Sequence, residues 1–171
     1  KSVDQCHAIH ERLETIAGMQ QSRVVIIGGG LEGIEGLGEI LRRYKGKLSS
    51  ITLVEARDRL LPATPCGVHR HLSKLVDEAG VDLILDDAVE RITARTVLLS
   101  SGRRLRSDAT IWTGGPAPAP LLVDSDLAEA GSWVPVRGNL EHREHRNVFV
   151  IGDAAQLPAQ AGVLTPASAM G

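Results

Sequence analysis

Gly28, Gly30 and Gly33 stand at G-x-G-x-x-G spacing directly after the apolar run Val24-Val25-Ile26-Ile27, and Glu55 closes the next such run, Ile51-Thr52-Leu53-Val54. This combination can hold a dinucleotide. Gly28 makes the tight turn out of a strand, where a positive φ is expected and a Cβ would clash. Gly30 lets the backbone approach a pyrophosphate, and Gly33 lets the next helix pack closely on the strand. The stretch Gly29-Gly30-Leu31-Glu32 starts that helix, whose N–H groups and positive dipole end point at the phosphates. Glu55 lies 22 positions after Gly33, close to the spacing of about 20 expected of an acid that accepts hydrogen bonds from ribose hydroxyls.

The same acid discriminates between nicotinamide nucleotides. A 2′-phosphate brought to about 4 Å from a carboxylate is repelled by roughly 1 kcal/mol in water and about 4 kcal/mol at an effective dielectric of 20. Glu55 therefore favours NADH over NADPH. Arg57 and Arg59 follow it, and arginine in this loop can accept a 2′-phosphate; as solvated loop cations they leave the preference with Glu55.

The elements that must position these residues are legible in the periodicity. Cys6, Ile9, Leu13 and Ile16 recur at helical spacing, so residues 2–19 form an amphipathic helix ended by Gly18. A strand covers 23–27 and a helix 31–44, with Ile34, Leu37, Leu41 and Tyr44 as its apolar stripe. Gly36 and Gly38 each weaken that helix by about 1 kcal/mol relative to Ala, a cost that implies another backbone packed against them. A strand at 51–55, a helix at 66–79 with Val68, Leu72, Leu75, Val76 and Ala79 on one side, and a strand at 81–85 follow. Then the rhythm changes. Segments 89–93, 96–100 and 103–107 are short and polar-flanked, with Ser101-Gly102 as a hairpin turn. They form an antiparallel meander in place of a crossover helix. Ala109–Trp112 re-enters the sheet, Gly114–Pro120 is a stiff loop, 121–147 is irregular, and Val148-Phe149-Val150-Ile151 is a short buried strand leading to Gly152-Asp153.

Composition narrows the class. The chain has 171 residues, 43% of them apolar and 23% charged, as in a soluble globular protein. A net charge of −2 and only four aromatic residues argue against nucleic acid as a partner. No apolar run approaches the length of about 20 needed to cross a bilayer, and no signal peptide is visible, which points to the cytoplasm. Cys6 and Cys66 form no C-x-x-C; they read as buried or idle thiols in a reducing compartment. His69 and His71 point to opposite sides of their helix. His142 and His145 are close enough in sequence to share a metal, but Glu141–Arg146 reads as a solvated loop, and Asp86-Asp87 as a turn. No metal site and no catalytic acid, base or nucleophile is assigned. The chain begins with Lys and ends without a cap or polar tail, as a piece of a longer protein would.

Several segments together resemble one family. Gly28-Gly-Gly-Leu-Glu-Gly-Ile-Glu35, Thr52-Leu-Val-Glu-Ala56 with Arg59-Leu-Leu-Pro62, Ile111-Trp-Thr-Gly-Gly115 with Pro120-Leu-Leu122, and Val148-Phe-Val-Ile-Gly-Asp-Ala-Ala155 resemble motifs of the FAD-dependent pyridine-nucleotide oxidoreductases. Within these the chain is most similar to type II NADH dehydrogenases, and Thr165-Pro-Ala-Ser-Ala-Met170 loosely resembles their segment near flavin and quinone. The resemblance implies an α/β, Rossmann-like three-layer domain with a parallel sheet plus the three-stranded antiparallel meander. It implies a linker helix at 1–21, an NAD-binding domain at 22–113 and an incomplete return segment of an FAD-binding domain at 114–171. Glu35 would lie near the nicotinamide, Gly115 would line the dinucleotide cleft, and Gly152 and Asp153 would meet FAD. NADH would pass hydride to FAD and on to a quinone; a disulfide, ferredoxin or sulfide acceptor in the same family, and a non-catalytic nucleotide-binding module, are the alternatives. The sequence holds one G-x-G-x-x-G, so the main FAD site would lie outside this chain, and the chain alone would be inactive. A homodimer, and peripheral membrane contact of the longer protein, are compatible with the resemblance.

Overall fold

The computed structural model describes residues 2–115 and 117–158. The motif expected at 165–170 lies outside them. The chain divides into two compact units, residues 1–114 and 115–171.

The first unit is built on four parallel strands: β1 (Arg23–Ile27), β2 (Ser50–Val54), β3 (Asp82–Ile84) and β7 (Ala109–Trp112), in the order β3-β2-β1-β7. β1 is hydrogen-bonded on both edges, with Ile27 opposite Val54 on one side and Trp112 on the other. Its residues are therefore apolar on both faces, as a central parallel strand requires. Val24 and Ile26 face a core shared with α1 (Val3–Ile16), α2 (Leu31–Tyr44) and α3 (Cys66–Glu78). Val25 and Ile27 face a second core with Val97 and Leu99, which belong to the antiparallel meander of β4 (Val89–Ile92), β5 (Thr96–Leu99) and β6 (Arg104–Arg106). Helices, sheet and meander thus make three layers, each side of the sheet read from alternate residues. The chain leaves β1 towards β2 on one side and enters β7 on the other. This makes a topological switch point whose crevice opens at the carboxyl ends of β1 and β7.

Several local expectations are corrected. The first helix stops at Ile16, three residues before its expected end, although Ser2 and Gln5 close both bonds of a capping box at its start. Ile40, rather than Ile34 or Leu41, is fully buried beside Leu37 and Tyr44 in α2. Nothing lies within 4 Å of a Cβ placed on Gly36 or Gly38, so no backbone packs against them. In α3, Val68 and Leu75 are exposed and Val76 alone is fully buried; the pair falls seven apart on a stripe turned away from the sheet. Cys6 and Cys66 are exposed rather than buried.

The second unit has its own small core of Val134, Val136 and Ala155, flanked by Leu122, Leu127, Leu140 and Val150. Within the stretch expected to be irregular, Pro120–Asp124 forms α4, with Pro at its first position, where its missing N–H costs nothing. Two-residue strands β8 (Val134–Pro135) and β9 (Ala155–Gln156) pair in parallel. The segment 148–151 is not a buried strand: Phe149 is 61% and Ile151 73% exposed. It is held along one edge, by His142 N–H to Val148 O at 2.8 Å and Val150 N–H to Leu140 O at 3.0 Å. Alternate side chains therefore face in and out.

Candidate dinucleotide site

Hydrogen bonds from both neighbouring strands position the glycine turn at the end of β1. Gly28 N–H donates to Val54 O at 2.8 Å, and Thr113 N–H to Ile27 O at 2.8 Å. Gly28 adopts φ 108°, and a Cβ on it would sit 2.7 Å from Thr113 Oγ1. A Cβ on Gly33 would sit 1.8 Å from Gly28 O, so the first turn of α2 lies directly against the strand exit. Around Gly30 the space is open, with nothing within 4 Å of a Cβ. Gly30 is the N-cap of α2, makes no side-chain cap, and accepts the first helical bond, from Ile34 N–H at 3.0 Å. The first-turn N–H groups of a helix have no acceptor within the helix, and Gly30 at its cap adds no side chain over them. That is the cradle a pyrophosphate needs.

Glu55 completes the site. Only 9% exposed, it follows β2, and its backbone N–H donates to Ile84 O at 2.8 Å. Its Oε2 accepts from Gly29 N–H at 2.5 Å and its Oε1 from Arg57 N–H at 2.9 Å. Each carboxylate oxygen has two acceptor directions, so these two backbone bonds take one from each oxygen. One direction per oxygen is then left for the two hydroxyls of a ribose. The residues present thus fit an adenosine dinucleotide without a 2′-phosphate.

The loop after Glu55 folds back over the turn. Leu61 N–H donates to Gly29 O at 2.9 Å, and the fully buried Leu60 puts its Cδ2 2.7 Å from where a Cβ on Gly29 would be. His69 of α3 fixes this loop: its Nδ1 accepts from Leu60 N–H at 2.9 Å. Arg59 pairs with Asp58 at 3.1 Å and reaches Cys66 Sγ at 3.3 Å. Leu60, His69 and Thr113 are supports that sequence reasoning missed. No local spacing marks them, because each acts across a gap in sequence.

Beyond the loop, Asp87 ties β3 to the meander. It is buried and accepts from Ser101 Oγ at 2.6 Å, Ser100 Oγ at 2.8 Å and Ser101 N–H at 3.0 Å. The Ser101 hydroxyl, above all, holds its carboxyl below the ordinary value, against the opposing effect of burial. The expected turn at 86–87 is present, with Asp86 at φ 56°.

The structure brings together Gly28, Gly29, Gly30, Leu31, Glu32, Gly33, Glu55 and Arg57. Glu35 is exposed one turn further along α2. Gly115, Gly152 and Asp153 belong to the second unit, where Gly152 opens a 3-10 turn with φ 70° and Asp153 is exposed. For FAD, this chain presents that glycine and carboxylate and no second G-x-G-x-x-G, so the residues present do not make an FAD site by themselves. The segment expected to be a solvated loop at 141–146 contains a buried histidine. His142 Nδ1 accepts from the N–H groups of Glu144 and His145, both at 3.0 Å, and its Nε2 lies 2.9 Å from Leu127 O. Those bonds assign the proton to Nε2 and make His142 a loop staple. Among the described residues no His, Cys, Asp and Glu side chains form a cluster that could hold a metal ion.

Comparison with known proteins places this geometry. The family model described as pyridine nucleotide-disulphide oxidoreductase matches residues 1–170. Fe-regulated protein 8 of Mycosarcoma maydis is 30% identical over 136 residues, covering 77% of this chain and 34% of the relative. The type II NADH:quinone oxidoreductase of Haemophilus influenzae is 27% identical over 156 residues, covering 84% of this chain and 35% of the relative. The crystal structure of the ferredoxin reductase for the CYP199A2 system from Rhodopseudomonas palustris superposes with a TM-score of 0.75 at 21% identity, over 92% of this chain and 38% of that one. The chain spans about a third of the length of these proteins.

Proposed function

This chain belongs to the pyridine nucleotide-disulphide oxidoreductase family, and from that premise we propose that it is the NADH-binding portion of a flavin-dependent oxidoreductase whose electrons go to a quinone. Residues 22–113 are the NAD-binding domain, 1–21 a linker helix, and 114–171 part of an FAD-binding domain. The observation that carries this reading is Glu55, held by the N–H groups of Gly29 and Arg57 at the mouth of an open glycine turn.

Bound NADH supplies a hydride; the chain's residues bind and orient. Gly30 and the first turn of α2 take the pyrophosphate. Glu55 accepts from both adenosine ribose hydroxyls and repels a 2′-phosphate. Leu60 closes the turn from above, and Glu35 lies on the side of α2 leading towards the nicotinamide. Gly152 and Asp153 contact the flavin cofactor in the longer protein. No side chain needs to transfer a proton for hydride to leave the nicotinamide, so none is assigned that role. The quinone acceptor rests on the likeness to the Haemophilus influenzae enzyme. Among the described residues no helix is long and apolar enough to cross a membrane.

Calorimetric titration of the chain tests the site. NADH is expected to bind, NADPH at least about fivefold more weakly, given about 1–4 kcal/mol of repulsion and about 1.4 kcal/mol per factor of ten. Glu55→Gln should weaken NADH and narrow the gap between the two. Equal affinity for both in the parent chain would overturn the assignment of Glu55. Turnover of the full-length protein with a soluble quinone, lipoamide and ferredoxin in parallel tests the acceptor; a preference for either of the last two would overturn the quinone reading.

A further inference from the structure

At the other end of the sheet from the glycine turn lies a cleft of about 460 Å³, lined by Arg23, Arg95, Thr96, Arg106, Ser107 and Asp108, with Gln21 at its edge. Three guanidinium groups against one carboxylate leave this cleft positive in a chain whose net charge is −2. The carboxylate is already engaged: Asp108 Oδ2 accepts from the backbone N–H of Arg23 at 2.9 Å. Arg23 is half-buried and donates to Gln21 at 3.1 Å. Among the described residues, neither Arg95 nor Arg106 has an ion-pair partner.

Arg23 opens β1, Arg106 closes β6, and the exposed Arg95 lies in the bend just before β5. Thr96 of β5 pairs directly with Arg106 of β6. Ser107 N–H donates to Arg95 O at 3.0 Å, and Asp108 N–H to Arg23 O at 2.8 Å. The start of β1, the bend before β5 and the end of β6 are thus joined by backbone bonds at one place, and each brings one arginine to it. Like charges gathered in this way repel one another, and no part of the dinucleotide reading uses them. Guanidinium forks beside a threonine hydroxyl match the oxygens of a phosphate group, which they can grip two at a time.

We propose that Arg23, Arg95 and Arg106 form a second anion site, for a ligand bearing a phosphate group, at the amino end of the sheet. It is independent of the dinucleotide site and does not require that reading to be right. The phosphate can belong to a free solute or to a lipid headgroup, and the chemistry recognised is the same.

The test uses the chain with two probes, inorganic pyrophosphate by calorimetry and sedimentation with vesicles of phosphatidic acid in phosphatidylcholine. Because pyrophosphate could also occupy the glycine turn, both are run on the parent chain and on an R95A/R106A variant, with NADH affinity measured alongside. Binding of pyrophosphate that weakens at least tenfold in the variant, with NADH affinity unchanged, supports a free solute. Sedimentation with phosphatidic acid that the variant loses, without pyrophosphate binding, supports the headgroup. In either case binding should fall as salt is raised. R95K/R106K should bind more weakly than the parent, since lysine keeps the charge but not the fork; it also guards against loss through misfolding, checked by thermal unfolding. No binding of either probe, or binding unchanged in R95A/R106A, overturns the proposal.

Discussion

Val24–Ile27 and Val148–Ile151 are both four-residue apolar runs that deliver a glycine, yet the first is almost wholly buried and the second leaves Phe149 and Ile151 more than half exposed. Their composition is nearly the same, and their neighbours differ. The first has a strand on each edge, helices on one face and a meander on the other. The second is bonded along one edge to residues 140–142 and keeps one face out of its unit's core. The consequence reaches the glycines. Gly28 is gripped by Val54 and Thr113 and can hold its turn unaided. Gly152 has nothing within 4 Å of where a Cβ would be.

Truncating each run gives the largest contrast. Ile26→Ala should cost about 2–5 kcal/mol, as for other buried aliphatic side chains. Ile151→Ala should stay within about 0.5 kcal/mol, as for an exposed site. Urea unfolding of the two variants measures both, and equal losses would remove the distinction between the regions. Next comes Gly33→Ala. Its methyl would meet Gly28 O, so the helix must shift, at about 1–3 kcal/mol for a forced fit, and NADH affinity should drop with the turn. The counterpart is Gly38→Ala, where the space is empty; it should stabilise by about 1 kcal/mol, read as a higher melting temperature with NADH binding intact. The smallest effect concerns the tie between sheet and meander. The Asp87 carboxyl titrates below its ordinary value in the fold. Its contribution is therefore present above the unfolded value of about 3.9 and lost as pH falls through the lower folded value. Asp87→Asn should flatten the acid limb of a plot of stability against pH while leaving neutral behaviour less affected.

Much of the first unit was legible because its signals are local. β1, α2 and β7 have the bounds read from periodicity, and the meander follows its short polar-flanked segments and the Gly102 turn. The glycine turn and the place of Glu55 were legible for the same reason: a fixed spacing along one βαβ unit sets where they stand. What escaped depends on partners distant in sequence. Gly36 and Gly38 suggested close packing, but a glycine's cost does not say what, if anything, lies beside it. Val68 and Leu75 read as core because apolar character alone cannot show which of two stripes meets the sheet. His142 read as solvated because its neighbours are charged, whereas Leu127 and the backbone of 144–145 bury and bond it.

The sequence by itself determined the order of elements in the first unit, the glycine turn and the acid that follows β2. These follow from backbone sterics, helix dipoles and hydrophobic periods that act within a few residues. Only the tertiary structure decided that Glu55 is held by Gly29 and Arg57, that Leu60 and His69 close the loop over the turn, and that three arginines from separate segments meet at the opposite end of the sheet. Such contacts join residues tens of positions apart. Burial and hydrogen bonding at those distances depend on which elements pack together, not on the residue types alone.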